Sequence, residues 1–251
     1  MKSITFYAVL CLLSVNLGVC EEGISTHSTN RVRNGNDLMT MSSGYRQVAL
    51  KLILNEANAV ARELNLEETL PITESNLIDS YISPPRMARL VPGFGNITTS
   101  NYIYYITVGN KFSFLEWTRL QEELPVLEKK YLLPLDKMNT NAAYEIATQL
   151  LAKVSINVSA LSRDCDAYIV PLVPTGETGK HFVPIYTVYW QRKREVGSAA
   201  EIEFLVPTKA VLALHVMKSE YILRKPLSVP NAEPLLSQTN SFPDAVKEGT
   251  H

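Results

Sequence analysis

Helical periodicity gives way to β-type alternation twice along this chain, and that succession constrains the fold more than any other feature. Tyr45, Val48, Ala49, Leu52, Ile53, Ala57, Val60, Ala61 and Leu64 recur at three- and four-residue spacing, which gathers them on one side of an α-helix. Lys51, Asn55, Glu56, Asn58, Arg62 and Glu63 fill the other side, and Ser42 or Ser43 can cap the orphan amides of the first turn. The pattern predicts an amphipathic helix of about 20 residues with one face on a core. A segment that is extended or loop-like follows, closed by Pro84-Pro85 and Gly93-Phe94-Gly95. From Ile97 to Trp117 the period becomes two. Tyr102, Tyr104, Ile106 and Val108 alternate with Ile103, Tyr105 and Thr107, and Phe112 and Phe114 continue the pattern beyond Gly109-Asn110. A Gly-Asn step between such runs supplies the positive φ of a tight hairpin turn.

The plan then recurs. A charged connector, Glu122 to Lys137, leads to Asn139-Thr140-Asn141, after which Ala143, Ile146, Ala147, Leu150, Leu151 and Val154 mark a second amphipathic helix. Four β-rich runs come next: Ala167 to Val173, His181 to Gln191, Ala200 to Val206 and Ala210 to Met217. Parity puts Phe182, Tyr186, Val188 and Trp190 on one face of their strand, and Leu212, Leu214 and Val216 opposite His215 on theirs. The expected fold is α+β, an amphipathic helix packed on antiparallel sheet, in two helix-then-sheet units over 44–125 and 138–225. Short likenesses support a repeat: Leu64-Asn65-Leu66 with Ile156-Asn157-Val158, and Tyr81-Ile82-Ser83-Pro84 with Tyr168-Ile169-Val170-Pro171. A helix followed by antiparallel strands, possessed twice, is similar in plan to cystatin-like and PepSY-type modules of exported proteins. The resemblance is one of architecture. The inhibitory Gln-x-Val-x-Gly pattern of cystatins is absent from these strands, so it carries over no inhibitory residues.

The amino terminus reads as an export signal. Lys2 precedes an almost unbroken apolar run from Ile4 to Val15, shorter than the ~20 residues of a membrane-spanning helix, and the chain turns polar at Glu21-Glu22. Residues 1–20 are therefore expected to be a signal peptide cleaved after Gly18-Val19-Cys20, with a buried N-terminal helix as the competing reading. Leu17-Gly18-Val19-Cys20 also resembles a bacterial lipobox, with bulky Val19 where that motif takes Gly or Ala, so a lipid anchor on Cys20 is the alternative to a secreted or periplasmic protein. Residues 21–43 read as a flexible leader, and 226–251, rich in Pro, Ser and Asn, as a disordered tail. Of three cysteines only Cys165 would remain, which excludes a disulfide framework within one chain. Without Lys2 the chain carries 23 basic and 25 acidic residues. That balance offers no long-range attraction for nucleic acid, and no segment beyond the signal is apolar enough to span a membrane.

Catalytic, metal and cofactor signals are lacking, and none is expected. Cys165 stands between Asp164 and Asp166, whose carboxylates oppose the thiolate that a nucleophile needs, so it reads as a packing residue at a strand start. His181 and His215 have no metal-ligand spacing, and His27 and His251 fall in the ends. Gly176-Glu177-Thr178-Gly179-Lys180-His181 lacks both the spacing and the following Ser or Thr of a phosphate loop and reads as a hairpin loop. Gln191-Arg192-Lys193-Arg194 reads as a solvated turn, and Glu201 with Glu203 as the wet side of their strand. Asn96-Ile97-Thr98 and Asn157-Val158-Ser159 fit the glycosylation sequon, which has meaning only in a eukaryote.

The most suggestive feature is the aromatic cluster Tyr102, Tyr104, Tyr105, Phe112, Phe114 and Trp117, which carries rings on both faces of the hairpin. Core packing accounts for one face; rings on the other can stack on a sugar or grip a peptide. Tyr102, Tyr104, Tyr105 and Trp117 are accordingly the candidate ligand-binding residues. The expected function is an exported, non-catalytic binding or interaction module for a protein, peptide or glycan, engaged through the aromatic hairpin or by strand addition at a sheet edge. A secreted hydrolase whose site assembles only in three dimensions, and a protease inhibitor, are the alternatives.

Overall fold

The structure, a computed structural model, describes residues 43–83, 94–174 and 180–229. The expected signal peptide, all of the leader but Ser43, residues 84–93 with the Pro84-Pro85 signal, loop residues 175–179 and the tail beyond Val229 lie outside them. The described chain is α+β, with four helices and a nine-stranded antiparallel sheet.

Helix α1 (Ser43–Leu64) leads into the strands β1 (Asp79–Ile82), β2 (Gly95–Thr98), β3 (Tyr102–Ile106) and β4 (Phe112–Trp117), each paired antiparallel with the next. Helix α2 (Leu120–Tyr131) and the two-residue strand β5 (Leu133–Pro134) lead to helices α3 (Thr140–Lys153) and α4 (Val158–Asp164). Then come β6 (Cys165–Leu172), β7 (His181–Arg192), β8 (Ala200–Leu205) and β9 (Ala210–Val216), again each antiparallel to the next. The two meanders meet where β4 pairs with β9, and β5 and β6 share the free side of β7.

Register shows why this sheet holds together. One row crosses six strands as Ile97, Tyr104, Leu115, Leu214, Ile202 and Val188, joined partner to partner. All six side chains are fully buried. They form the floor on which α1, α3 and α4 pack. Period-two alternation supplies this inner face, and the helical stripe Ala49, Ile53, Ala57, Val60, Ala61 and Leu64 meets it from above. Contact is closest at Gly95, where a Cβ would lie 2.5 Å from the Tyr81 carbonyl oxygen and 2.9 Å from Ile53 Cδ1. Only glycine lets α1 settle there.

The two halves share local details. Both α1 and α3 end in a residue of positive φ, Asn65 (52°) and Ser155 (61°). In each case the next amide reaches back five residues, Leu66 to Ala61 at 2.9 Å and Ile156 to Leu151 at 3.0 Å, the helix-ending motif that satisfies orphan carbonyls. The β3–β4 ladder shifts register between Tyr105 and Ile106, and the β8–β9 ladder between Glu203 and Phe204.

Several expectations need correction. The charged connector contains α2, whose Leu120, Leu124, Leu127 and Tyr131 stripe covers a second apolar cluster of Val183, Ile185, Leu205 and Leu212. Pro125 lies inside that helix. The bulge sends Leu212 to this cluster instead of the main core with Leu214 and Val216. Arg192 is no free member of a solvated turn: its Nε donates to the Tyr221 hydroxyl at 2.8 Å and its guanidinium pairs with Glu220 at 2.6 Å. The chain beyond Pro226 begins against the body, with the Leu227 amide donating to the Asn110 carbonyl at 2.7 Å.

Asn58, read as part of the polar side of α1, is buried. Its Nδ2 donates to the carbonyls of Ile72 and Leu54, both at 2.8 Å, and its Oδ1 accepts from the Ile72 amide at 2.7 Å. The amide side chain thus pairs with the Ile72 backbone as a neighbouring strand would. Replacing it by alanine leaves both Ile72 groups unpaired away from water, so Asn58→Ala is expected to lower the unfolding free energy by about 2–4 kcal/mol in urea titration.

Candidate functional site

The outer face of the sheet, opposite α1, α3 and α4 and covered at one end by α2, gathers side chains that strand order alone brings together. Following register partners from β1, one row runs Tyr81, Asn96, Tyr105, Phe114. It continues through β9, β8, β7 and β6 as His215, Glu201, Tyr189, Tyr168. Six of these eight side chains are rings. At a strand spacing of about 4.8 Å the row is roughly 34 Å long. Five of the rings touch in two groups. Tyr105 meets Phe114 edge to face at 4.5 Å, Phe114 stacks on His215 at 4.1 Å and 10°, and Tyr189 stacks on Tyr168 at 5.2 Å and 15°. Tyr81 and Tyr168, at the two ends, are 48% and 45% exposed.

Two residues along each strand lies a parallel row: Asp79, Thr98, Ile103, Glu116, then Ala213, Glu203, Thr187, Val170. Ala213 has Glu116 as its partner on one side and Glu203 on the other. Neither row contains a lysine or arginine. Burial pushes the Glu203 carboxyl up to about 7, with the carboxylates of Glu201 and Glu116 adding to the effect. Burial also holds the Glu201 carboxyl above its ordinary range. The wet-side reading of Glu201 and Glu203 is corrected here, since both are half-buried on a face crowded with rings. His215, flanked by Phe114 and Glu201, is held neutral by burial down to about pH 4, and its Nε2 is enclosed without a hydrogen-bond partner.

The four aromatic residues singled out from the sequence do not form one site. Tyr102 and Tyr104 face the core, 3% and 0% exposed. The Tyr104 hydroxyl donates to Glu68 at 3.1 Å and the Tyr102 hydroxyl to the Val211 carbonyl at 3.3 Å; neither ring can stack on a ligand there. Tyr105 belongs to the outer row. Trp117, the register partner of Tyr102, borders with it a separate cleft of about 470 Å³ shared with Tyr131, Lys153 and Lys209. Tyr168, Tyr189 and His215 join the face without having been singled out; the signal available was parity with Tyr105 and Phe114, which means nothing until β4 is known to pair with β9.

Nucleophile chemistry finds little footing. Cys165 is buried at the start of β6, its sulfur 3.7 Å from the Tyr221 hydroxyl that Arg192 also holds. Among the described residues no group of three or more His, Cys, Asp or Glu is placed to hold a metal ion, and no helix is long and apolar enough to cross a membrane.

No protein-family model matches the chain, and no curated protein or solved structure matches it. The chemistry of the outer face therefore has to be read from its own geometry.

Proposed function

We propose that this chain is an exported, non-catalytic binding module, made of two helix-then-sheet units, that meets its partner on the outer face of the joined sheet. The observation that carries the reading is the ring row. Core packing accounts for the inner aromatics, and α2 covers this side over Val183, Ile185, Leu205 and Leu212; a line of six rings across eight strands beyond that cluster is more than sheet pairing requires. An enzyme is less well supported, because His215 has its ring stacked on Phe114 and its Nε2 partnerless. Catalysis needs a base within reach of a hydroxyl or thiol. Export rests on the Met1 to Cys20 pattern.

The two-unit plan gains support from correspondences that register defines. Pairing β4 with β9 antiparallel sets Leu115 opposite Leu214, the last strands of two four-stranded meanders. Counting outward from that pair, the bulge residues Ser113 and Leu212 occupy equivalent positions, as do Tyr105 and Glu203. The helix caps at Asn65 and Ser155 match as well. A helix followed by four antiparallel strands is the plan for which cystatin-like and PepSY-type modules were invoked.

Peptide and glycan arrays probed with the purified protein test the reading. Binding is expected, and Tyr168→Ala with Tyr189→Ala, near the sheet margin, is expected to weaken it at least tenfold with little change in melting temperature. Binding indifferent to that double variant, or turnover of ester, peptide or glycoside substrates that His215→Gln abolishes, would overturn it.

A further inference from the structure

We infer that the partner of the outer face is a basic peptide segment in extended conformation, laid along the ring row with its Lys or Arg side chains over Glu116, Glu201 and Glu203. The inference rests on the binding reading above and names the chemistry that reading leaves open.

Charge complementarity is the first argument. The two rows carry four carboxylates, on Asp79, Glu116, Glu201 and Glu203, against no lysine or arginine. The ion pairs formed among the described residues lie elsewhere, as with Arg224 to Glu56 and Lys218 to Glu195. The unrelieved state of the Glu203 carboxyl, raised by burial and by two neighbouring carboxylates, is what a site missing its cation displays. Nucleic acid and anionic lipid would be repelled by the same groups.

Ring geometry is the second argument. A sugar platform needs open, coplanar ring faces, but here the faces are spent on neighbours, Phe114 on His215 and Tyr189 on Tyr168. Tyr105 and Tyr189 are half-buried, and Tyr168 is 45% exposed at the margin. No strand lies beyond β6 on that side, so Tyr168 can stack a guanidinium. Hydroxyl and carboxylate oxygens together form an acceptor-rich strip, which selects a donor-rich partner. Length agrees: roughly 34 Å accommodates about ten extended residues.

Fluorescence anisotropy with a labelled decapeptide of alternating Arg and Ser tests this against a Gly-Ser decapeptide and chitohexaose. The Arg-Ser peptide is expected to bind and the Gly-Ser peptide not. Glu201→Gln with Glu203→Gln should weaken binding at least tenfold, whereas Glu122→Gln with Glu145→Gln, the same loss of charge on exposed helix positions, should change it less than twofold. Circular dichroism of both variants monitors the fold, and neutralising the half-buried Glu203 carboxyl is not expected to harm it. Equal losses in the two double variants would mean diffuse attraction and overturn the inference. Chitohexaose binding that Tyr168→Ala abolishes, with no Arg-Ser binding, would overturn the basic occupant and leave the binding module standing. Absence of binding to every probe overturns the occupant, while retained array hits sensitive to Tyr168 and Tyr189 would still support the module.

Discussion

Arg224→Ala is expected to destabilise the protein by about 3–5 kcal/mol, read as a lower urea midpoint, since it strips the partner from Glu56, a largely buried carboxylate. Arg224 is 12% exposed and Glu56 17%, joined Nη1 to Oε1 at 2.9 Å. A second bond links the same guanidinium to Glu63, and its Nε donates to the Val154 carbonyl at 3.1 Å. One side chain near the end of the described chain thus ties α1 to the end of α3. A surface ion pair would be worth under about 1 kcal/mol; the size expected here comes from stranding Glu56 with little water to replace the guanidinium. Removing the charges together separates the cases. Arg224→Met combined with Glu56→Gln and Glu63→Gln should recover most of the loss, because an apolar or neutral replacement of a whole buried cluster is often close to neutral. If the triple variant is no better than Arg224→Ala, the cost lies in the lost bond to the Val154 carbonyl and not in charge.

Much of the scaffold is legible in the sequence, for reasons that particular residues make plain. Helix α1 announces itself because Ala49, Ile53, Ala57, Val60 and Leu64 keep one period over about four turns of chain, and the periodic stretch ends at Leu64 as the helix does. Strands β6 to β9 stand within a residue or two of the alternating runs that mark them. Helix α2 escapes because Pro125 and a dense set of charges obscure a stripe that Leu120, Leu124, Leu127 and Tyr131 nonetheless carry. Helix α4 escapes because seven residues are too few to establish a period.

The outer face is a different matter. Alternation separates Tyr104 from Tyr105, but it cannot say which of the two faces receives the helices, so both tyrosines look equally available. Nor can a local pattern place Phe114 beside His215, or Glu116 and Glu203 on either side of Ala213. Those neighbours arise from β4 pairing with β9, strands on opposite sides of α2, α3 and α4 in the chain. The groups that give the face its chemistry are therefore the ones with the longest sequence separation. Glu68 illustrates the same limit: it follows α1 as an ordinary polar residue, yet it accepts from Thr99 and Tyr104 and is held above the usual carboxylate range by burial.

Between about pH 4.5 and 6.5 the two central groups of the outer face should pull stability in opposite directions, and single variants should unmask each slope. Burial and the neighbouring carboxylates raise Glu203 from its ordinary 4.5 to about 7. As pH climbs through that window the unfolded chain gives up the proton while the folded one keeps it, so stability falls with rising pH. Burial lowers His215 from 6.5 to about 4. As pH drops through that window the unfolded chain takes up a proton that the folded one refuses, so stability falls with falling pH. Each effect is worth about 1–3 kcal/mol, since a shift of one unit corresponds to about 1.4 kcal/mol and both side chains keep some solvent contact. Glu201 and Glu68, also raised, add to the Glu203 slope. In urea titrations from pH 4.5 to 7, Glu203→Gln is expected to grow more stable as pH rises relative to the parent, and His215→Gln less stable. The charges that act on Glu203 are Glu201 on β8 and Glu116 on β4, both acidic, and burial alone lowers His215. Parallel slopes in the two variants would show that imidazole and carboxyl share one proton as a pair, and the strip would then lose the unbalanced acidity on which recognition of a basic partner depends.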